Sequence, residues 1–233
     1  MDKQAIRERV WDDLEDAGVA RFPYPPHGRI PNFAGAEVAA SQLAEQPAWR
    51  QATVVKTNPD APQLPVRRAA LREGKTVYVA VPRLREEACF YRLDPDRIPD
   101  TDAAATIGGA SDAGEQVRPA DLEPVDLVVS GSVAVTSAGT RIGKGEGYSD
   151  LEFAILREFG LVGQETPTAT TVHTLQVRDV TITPQSHDVP MDLVVTPDGA
   201  IDTGASEKPS GLDWSELDRE TRAAIPILDQ LSP

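Results

Sequence analysis

Three glycines, Gly143, Gly145 and Gly147, alternate within five residues, and the sequence changes character across them. A strand-like run from Val125 to Val135 leads up to them, and a helix-like run from Leu151 to Phe159 follows. Glycine admits backbone conformations that a Cβ forbids, so N–H groups at such a junction can turn toward one point. A helix N-terminus adds partial positive charge there. The segment therefore reads as a strand–loop–helix unit that suits a phosphate cradle. The spacing fits a tight turn or hairpin equally well, with the glycines serving only positive-φ positions. Gly139-x3-Gly143-Lys144-Gly145 has neither the spacing nor the Ser/Thr of a P-loop, and the third glycine falls one residue early for the dinucleotide fingerprint.

The flanks sharpen the choice. Ser149-Asp150-Leu151-Glu152 matches a capping box and predicts that the helix starts just after the loop. Arg141 and Lys144 bring cations beside the backbone donors and are the candidate catalytic cations. Asp150 falls where an anion would bind. It either complements the helix dipole or faces a phosphate through Mg²⁺, which is held by one or two carboxylates plus phosphate oxygens. Glu146 permits the same argument in weaker form.

The rest of the chain alternates. Residues 2–17 carry Ile6, Val10 and Leu14 at helical spacing, and Gly18 is a stop. Phe22 to Asn32, with four prolines, reads as an extended connector. A helix is predicted from Ala36 to Ala48 and another from Pro65 to Glu73. Strands are predicted at Ala52–Lys56, Thr76–Val81, Leu127–Val135 (single or as a strand–turn pair), Ala169–His173, Leu175–Thr181 and Met191–Thr196. Residues 98–124, rich in Asp, Ala, Gly and Pro, read as a long surface excursion. This alternation predicts an α/β fold with three layers: an open, mainly parallel sheet with helices on both faces. Residues 1–205 form the expected domain. Residues 206–233 form a polar tail with a short helix around Trp214 to Ile225.

Composition removes several functions. With 23 basic against 37 acidic residues the net charge is -14, a field that repels free nucleic acid. Such acidity suits a high-salt cytoplasm and an ordinary acidic protein alike. Cys89 stands alone, which excludes an intrachain disulfide, dithiol chemistry and a Cys-rich zinc site. Beside Phe90 it reads as a small buried hydrophobe. No apolar run approaches the roughly 20 residues that span a bilayer, and no signal-peptide pattern opens the chain, so a cytoplasmic protein is expected. His187-Asp188 reads as a structural pair ahead of a catalytic one. Arg83 and Arg85, with Lys75, either help to hold an anionic substrate or are simply exposed.

The stretch from Asp126 to Val135, followed by Arg141-Ile142-Gly143-Lys144-Gly145-Glu146-Gly147-Tyr148-Ser149-Asp150, resembles the signature of the 5-formyltetrahydrofolate cyclo-ligase family. Lys3-Gln4-Ala5-Ile6-Arg7 is similar to that family's N-terminal Lys-x-x-Leu-Arg. Gln176, His187-Asp188 and Asp192–Thr196 are similar to its C-terminal pattern. Within the family, Phe22-Pro23, His27, Arg29–Phe33 and Gly211-Leu212-Asp213-Trp214 resemble the methenyltetrahydrofolate synthetase domain-containing branch.

The resemblance implies an ATP- and Mg²⁺-dependent enzyme acting on 5-formyltetrahydrofolate or a folate-like substrate. Phosphorylation of the formyl oxygen would be followed by ring closure to 5,10-methenyltetrahydrofolate. It implies that Lys3 and Arg7 meet ATP phosphates, that Arg141, Gly143, Gly145, Gly147 and Tyr148 form the nucleotide loop, and that Asp150 holds Mg²⁺. Ser149 and Leu151 depart from the Tyr and Arg of the signature. Where the family has a folate-contacting Glu, this chain reads Val54-Val55-Lys56-Thr57, so the acidic anchor is expected to be lost. The alternative function on the same fold is a non-catalytic nucleotide-binding or RNA-associated protein.

Overall fold

The computed structural model describes residues 2–205 and 207–232. Ser206, the first residue of the expected tail, and Pro233, its last, lie outside the described residues. The chain begins with α1 (Lys3–Asp16), the short pair β1 (Ala20–Arg21) and β2 (Asn32–Phe33), then α2 (Ala36–Ala44) and α3 (Pro47–Gln51). There follow β3 (Val54–Thr57), α4 (Leu64–Arg72), β4 (Thr76–Ala80), β5 (Phe90–Leu93), α5 (Thr101–Ala104), α6 (Ile107–Ala113) and β6 (Glu115–Val117). Next come β7 (Leu127–Val129), β8 (Ala134–Thr136), β9 (Arg141–Ile142), α7 (Tyr148–Glu158), β10 (Thr168–Thr171) and β11 (Val177–Arg178). The chain closes with β12 (Leu193–Thr196), β13 (Gly199–Asp202), α8 (Arg219–Ala224) and α9 (Ile227–Leu231).

Eight strands form one sheet in the order β13-β12-β10-β7-β3-β4-β5-β6. The five from β12 to β4 are mutually parallel, and β13, β5 and β6 are antiparallel additions at the edges. Parallel strands are buried on both faces, which is why β4, β7 and β12 are near-continuous apolar runs, while β10 (Thr168–Thr171) buries mostly threonine. Successive residues point to opposite faces. Val54, Tyr78, Val128 and Val194 enter the core shared with α7 and α9. Their neighbours Val55, Val77, Val79, Leu127, Val129 and Val195 enter the core under α2, α3 and α4. This is the expected α/β arrangement.

A second sheet, β11-β8-β9, packs against α1 through Ile6, Val10, Trp11 and Leu14, which meet Val133, Ala134 and Ile142. Its presence corrects the expected strand path. The run from Leu127 to Val135 is two strands in two sheets, divided at Ser130-Gly131. The glycine loop thus leaves a hairpin, β8–β9, instead of a central strand. Likewise, residues 175–181 supply only a helical turn and the two-residue β11.

Three other expectations are corrected. Residues 98–124 are folded. The Asp100 side chain caps α5, the Thr106 side chain caps α6, and β6 pairs with β5. Small residues, Ala104, Ala105 and Ala110, make the buried contacts there, so the apolar periodicity is faint. Pro47 begins α3 instead of ending α2, because a first-turn proline forfeits no helical hydrogen bond. The capping box does not form. Gly147 is the N-cap at φ 74, which puts Ser149 inside the helix with its hydroxyl donating to Asn58 Oδ1 at 3.3 Å and Ser130 Oγ at 3.2 Å.

The C-terminal segment carries Ile225, Ile227 and Leu228 into the core that also contains Phe153 and Leu156 of α7. Leu228→Ala is expected to lower stability by about 3 kcal/mol, the usual cost of emptying a fully buried leucine site. Urea unfolding measures it, and a change within about 0.5 kcal/mol, as at an exposed position, would contradict the packing.

Candidate active site

The connection from β3 runs to β4 on one side, and that from β7 runs to β10 on the other. Neighbouring strands whose connections diverge leave a crevice beyond their carboxyl ends, the preferred ligand position in open α/β sheets. A cleft of about 580 Å³ occupies this position. Asn58, Pro59 and Asp60, just past β3, and Gly131, just past β7, line it. So do Lys3, Arg7, Arg141, Gly143, Lys144, Gly145, Gly147, Tyr148 and Asp150. Every residue that the resemblance assigns to phosphate or metal, and both candidate catalytic cations, therefore border one cavity, whereas Lys75 and Arg85, offered for an anionic substrate, do not line it, and Lys75 donates to the Trp49 and Ala52 carbonyls instead.

Internal contacts fix these residues. The Arg141 side chain is almost fully buried. It donates from Nη1 to the Gly131 carbonyl at 2.8 Å and from Nη2 to Asp150 Oδ2 at 2.6 Å. Asp150 Oδ1 accepts the Val189 N–H at 3.0 Å, which brings the 185–189 segment to the site. Arg7 Nε donates to the Gly143 carbonyl at 2.7 Å, so α1 holds the glycine loop. Desolvation lowers the Arg7 pKa, opposed by Asp2 and Asp188. Lys3 Nζ lies 2.7 Å from Asp188 Oδ2, which also accepts the Gln185 N–H at 2.8 Å. His187 Nε2 is 3.9 Å from Asp188 Oδ1, too far for a hydrogen bond, so Lys3 is the real partner of Asp188. Lys144 pairs with Glu146 at 2.8 Å. Gly145 (φ 103) and Gly147 (φ 74) sit in the left-handed region, where a side chain is strained.

The floor contains residues that the sequence did not single out. Lys56 on β3 has a wholly buried side chain and is ion-paired and hydrogen-bonded to Glu152 of α7. Asn58 Nδ2 donates to the same Glu152 oxygen at 3.0 Å, and its Oδ1 accepts the Gly131 N–H at 2.8 Å. Burial pushes the Glu152 carboxyl above its usual range, and Lys56 opposes this. Burial likewise raises Asp60, opposed by Lys144 and Arg67. Arg67, whose pKa burial brings down to about 10, donates to the carbonyls of Ala105 and Asn58 at 2.6 Å each, joining the α5–α6 arm to the floor.

The cleft therefore has carboxylates despite Lys56: Asp60 follows β3 directly, and Glu152 reaches in from α7. The usable signal was Asn58-Pro59-Asp60, a polar turn closing an apolar strand, where parallel sheets carry ligand residues. Cys89 is buried, and its thiol is pushed up to about 12, which leaves it inert. Gln176 is structural, donating to the carbonyls of Ser132 and Val133. No helix among the described residues is long and apolar enough to cross a membrane.

Fold and cleft together define an α/β protein with a glycine-lined, cation-rich crevice at the carboxyl edge of its sheet. The model of the 5-formyltetrahydrofolate cyclo-ligase family matches residues 1–197. A methenyltetrahydrofolate synthase domain-containing protein of Mus musculus is 43% identical over 98% of this chain, and the Homo sapiens counterpart is 39% identical over the same share. The chain spans 63% and 61% of the lengths of these relatives. An NMR structure of 5,10-methenyltetrahydrofolate synthetase from Aquifex aeolicus superposes with a TM-score of 0.54 at 19% identity, over 89% of this chain and 96% of that one. The chain belongs to the 5-formyltetrahydrofolate cyclo-ligase family.

The floor network gives a direct test. Glu152→Gln leaves Lys56 buried without a carboxylate and is expected to destabilise by about 3 kcal/mol. The Lys56→Met/Glu152→Leu double variant should recover most of that loss. In Lys56→Met alone, the raised Glu152 pKa has no cation to offset it. The deficit relative to the parent should shrink as pH falls toward the ordinary value of 4.5, where Glu152 is protonated in both states and the parent too loses its ion pair, and should grow as pH rises from there through the folded value. Denaturation midpoints at several pH values provide the measurement, and additive single losses in the double variant would contradict the pairing.

Proposed function

We propose that this chain converts 5-formyltetrahydrofolate, or a close folate-like substrate, to 5,10-methenyltetrahydrofolate at the expense of ATP. The observation that carries this reading is the convergence of Lys3, Arg7, Arg141, Lys144 and the glycine loop on one cleft that also holds Asp150, Asp60 and Glu152. The γ-phosphoryl of ATP passes to the formyl oxygen, giving ADP. The substrate's N10 then attacks the activated carbon and loses its proton to solvent or to the departing group, and inorganic phosphate leaves with that oxygen.

Phosphoryl transfer demands positioning and neutralisation of charge more than covalent help from the protein. Loop N–H groups at Gly145 and Gly147, with Lys3, Arg7 and Lys144, supply donors and cations for the phosphates. Arg141, fixed between Gly131 and Asp150, presents a rigid guanidinium to the transferring group. On the other side, Asp60 offers an acceptor for the N–H groups of a pterin ring.

Asp150 and Asp188 are the carboxylates that would hold Mg²⁺. Val189 bonds to Asp150, so the two belong to one corner of the cleft. Among the described residues no group of three or more Asp, Glu, His or Cys surrounds an ion position. That count does not argue against Mg²⁺, since that ion takes one or two carboxylates and keeps water and phosphate oxygens as its other ligands. Bound there, Mg²⁺ would supply charge neutralisation to the polyphosphate. Ser149 and Leu151, which replace the Tyr and Arg of the family signature, are accommodated. Ser149 joins the floor network, and Leu151 packs on the core.

The test is the absorbance change of methenyltetrahydrofolate formation with MgATP. Turnover is expected in the parent, with kcat/KM reduced about 100-fold or more in Asp150→Asn and about 10-fold in Lys144→Ala. Turnover unaffected by Asp150→Asn would remove the metal role. ATP binding with no turnover in the parent would support a non-catalytic nucleotide-binding protein instead.

A further inference from the structure

Five cationic side chains line the cleft: Lys3, Arg7, Arg83, Arg141 and Lys144. Four are engaged within the chain, Lys3 by Asp188, Arg7 by the Gly143 carbonyl, Arg141 by Asp150 and Gly131, and Lys144 by Glu146. Arg83 differs. Among the described residues its guanidinium makes neither a hydrogen bond nor an ion pair, although Arg92 and Arg118 find Glu115 and Glu87. Scarcity of acids is not the reason in a chain with 37 of them against 23 bases.

The backbone at this point is unusual as well. Arg83 (φ 59) and Leu84 (φ 52) are consecutive non-glycine residues in the left-handed region, which side chains rarely adopt. Surrounding structure enforces it. Leu84 is wholly buried in the largest core cluster, its N–H donates to the Val81 carbonyl at 2.9 Å, and the Val81 N–H donates to Cys89 at 2.8 Å. The turn thus spends conformational strain to present Arg83 on the cleft wall. That wall lies on the β4–β5 side of β3, whereas the glycine loop belongs to the β7 side. Apart from Ser111, its other members are mainly apolar, among them Val81, Pro82, Tyr91, Ala110 and the exposed Ile107.

We propose that Arg83 is a specificity residue that takes a carboxylate at the outer end of the substrate, while the substrate's flat apolar body lies along Val81, Pro82, Tyr91 and Ile107. A guanidinium is suited to such a carboxylate because it can grip both oxygens. The identity of the substrate rests on the cyclo-ligase reading: a folate carries an aminobenzoyl body that ends in glutamyl carboxylates, remote from the formyl group. The subsite itself rests on the unpartnered, strained Arg83 and the apolar wall.

The experiment titrates the full chain with 4-aminobenzoylglutamate and with its diamide by NMR or calorimetry, and follows turnover of 5-formyltetrahydrofolate in parallel. Arg83→Gly removes the side chain while suiting the left-handed backbone, so the fold is retained, and Arg83→Lys keeps the charge. The parent should bind the dicarboxylate about tenfold more tightly than the diamide. Arg83→Gly should abolish that preference without changing diamide affinity, and Arg83→Lys should restore part of it. Equal affinity of the parent for the two probes, binding of neither, or equal weakening of both by Arg83→Gly overturns the assignment. An Arg83-dependent preference in a chain that never turns over 5-formyltetrahydrofolate upholds the carboxylate subsite and sinks the cyclo-ligase reading.

Discussion

A lysine on the central strand and a glutamate on the helix that follows the glycine loop meet in a space closed to water. Neither could be buried there alone. The desolvation of a lone ion far exceeds what packing returns, and even a pair is tolerable only when further hydrogen bonds complete it. Asn58 completes this one, and through the Gly131 N–H it extends the network to the end of β7. Apolar packing of Phe153, Ile155 and Leu156 holds α7 on the sheet, but oily contacts tolerate sliding. A buried charge pair does not, and it sets where the first turns of α7 stand. Asp150 and Ser149 inherit their positions from it, and so does Arg141, through its bond to Asp150.

The elements most legible in the sequence were those whose local pattern and tertiary fate agree. The apolar runs of β3, β4 and β7 announced a parallel sheet, and Ile6, Val10 and Leu14 announced α1, because in each case burial follows simple periodicity. The glycine loop was legible because special backbone angles need a special residue. Failures occurred where context overrode local chemistry. Ser149 and Glu152 spell a capping box, yet the floor network claims both, Glu152 through Lys56 and Ser149 through Asn58. The α5–α6 arm hid because alanines make its contacts. The split of the run from Leu127 to Val135 between two sheets left no mark, since both halves are equally apolar.

The same limit applies to the cleft. The cations and glycines could be found one by one, but not the partner of each. Asp188 answers Lys3, not its neighbour His187, and Asp60 supplies a carboxyl next to a strand whose Lys56 suggested that none remained. The proposed function adds a reaction to this arrangement. The chain corresponds to about 60% of the length of the curated relatives it matches, so the cleft is the part of them for which its geometry speaks.

The second sheet has a consequence for how the molecule comes to be. Because the glycine loop is carried by the β8–β9 hairpin and clasped by α1, the cleft joins residues very distant along the chain. Arg7 meets a partner 136 positions away and Lys3 one 185 positions away. Contacts of such long range are entropically late to form, since much of the chain must be ordered before its distant segments can be brought together. The large sheet can begin to assemble from its middle strands, but the crevice exists only once the segment around Asp188 has returned to the first helix. A partly synthesised chain could thus hold a core and no crevice.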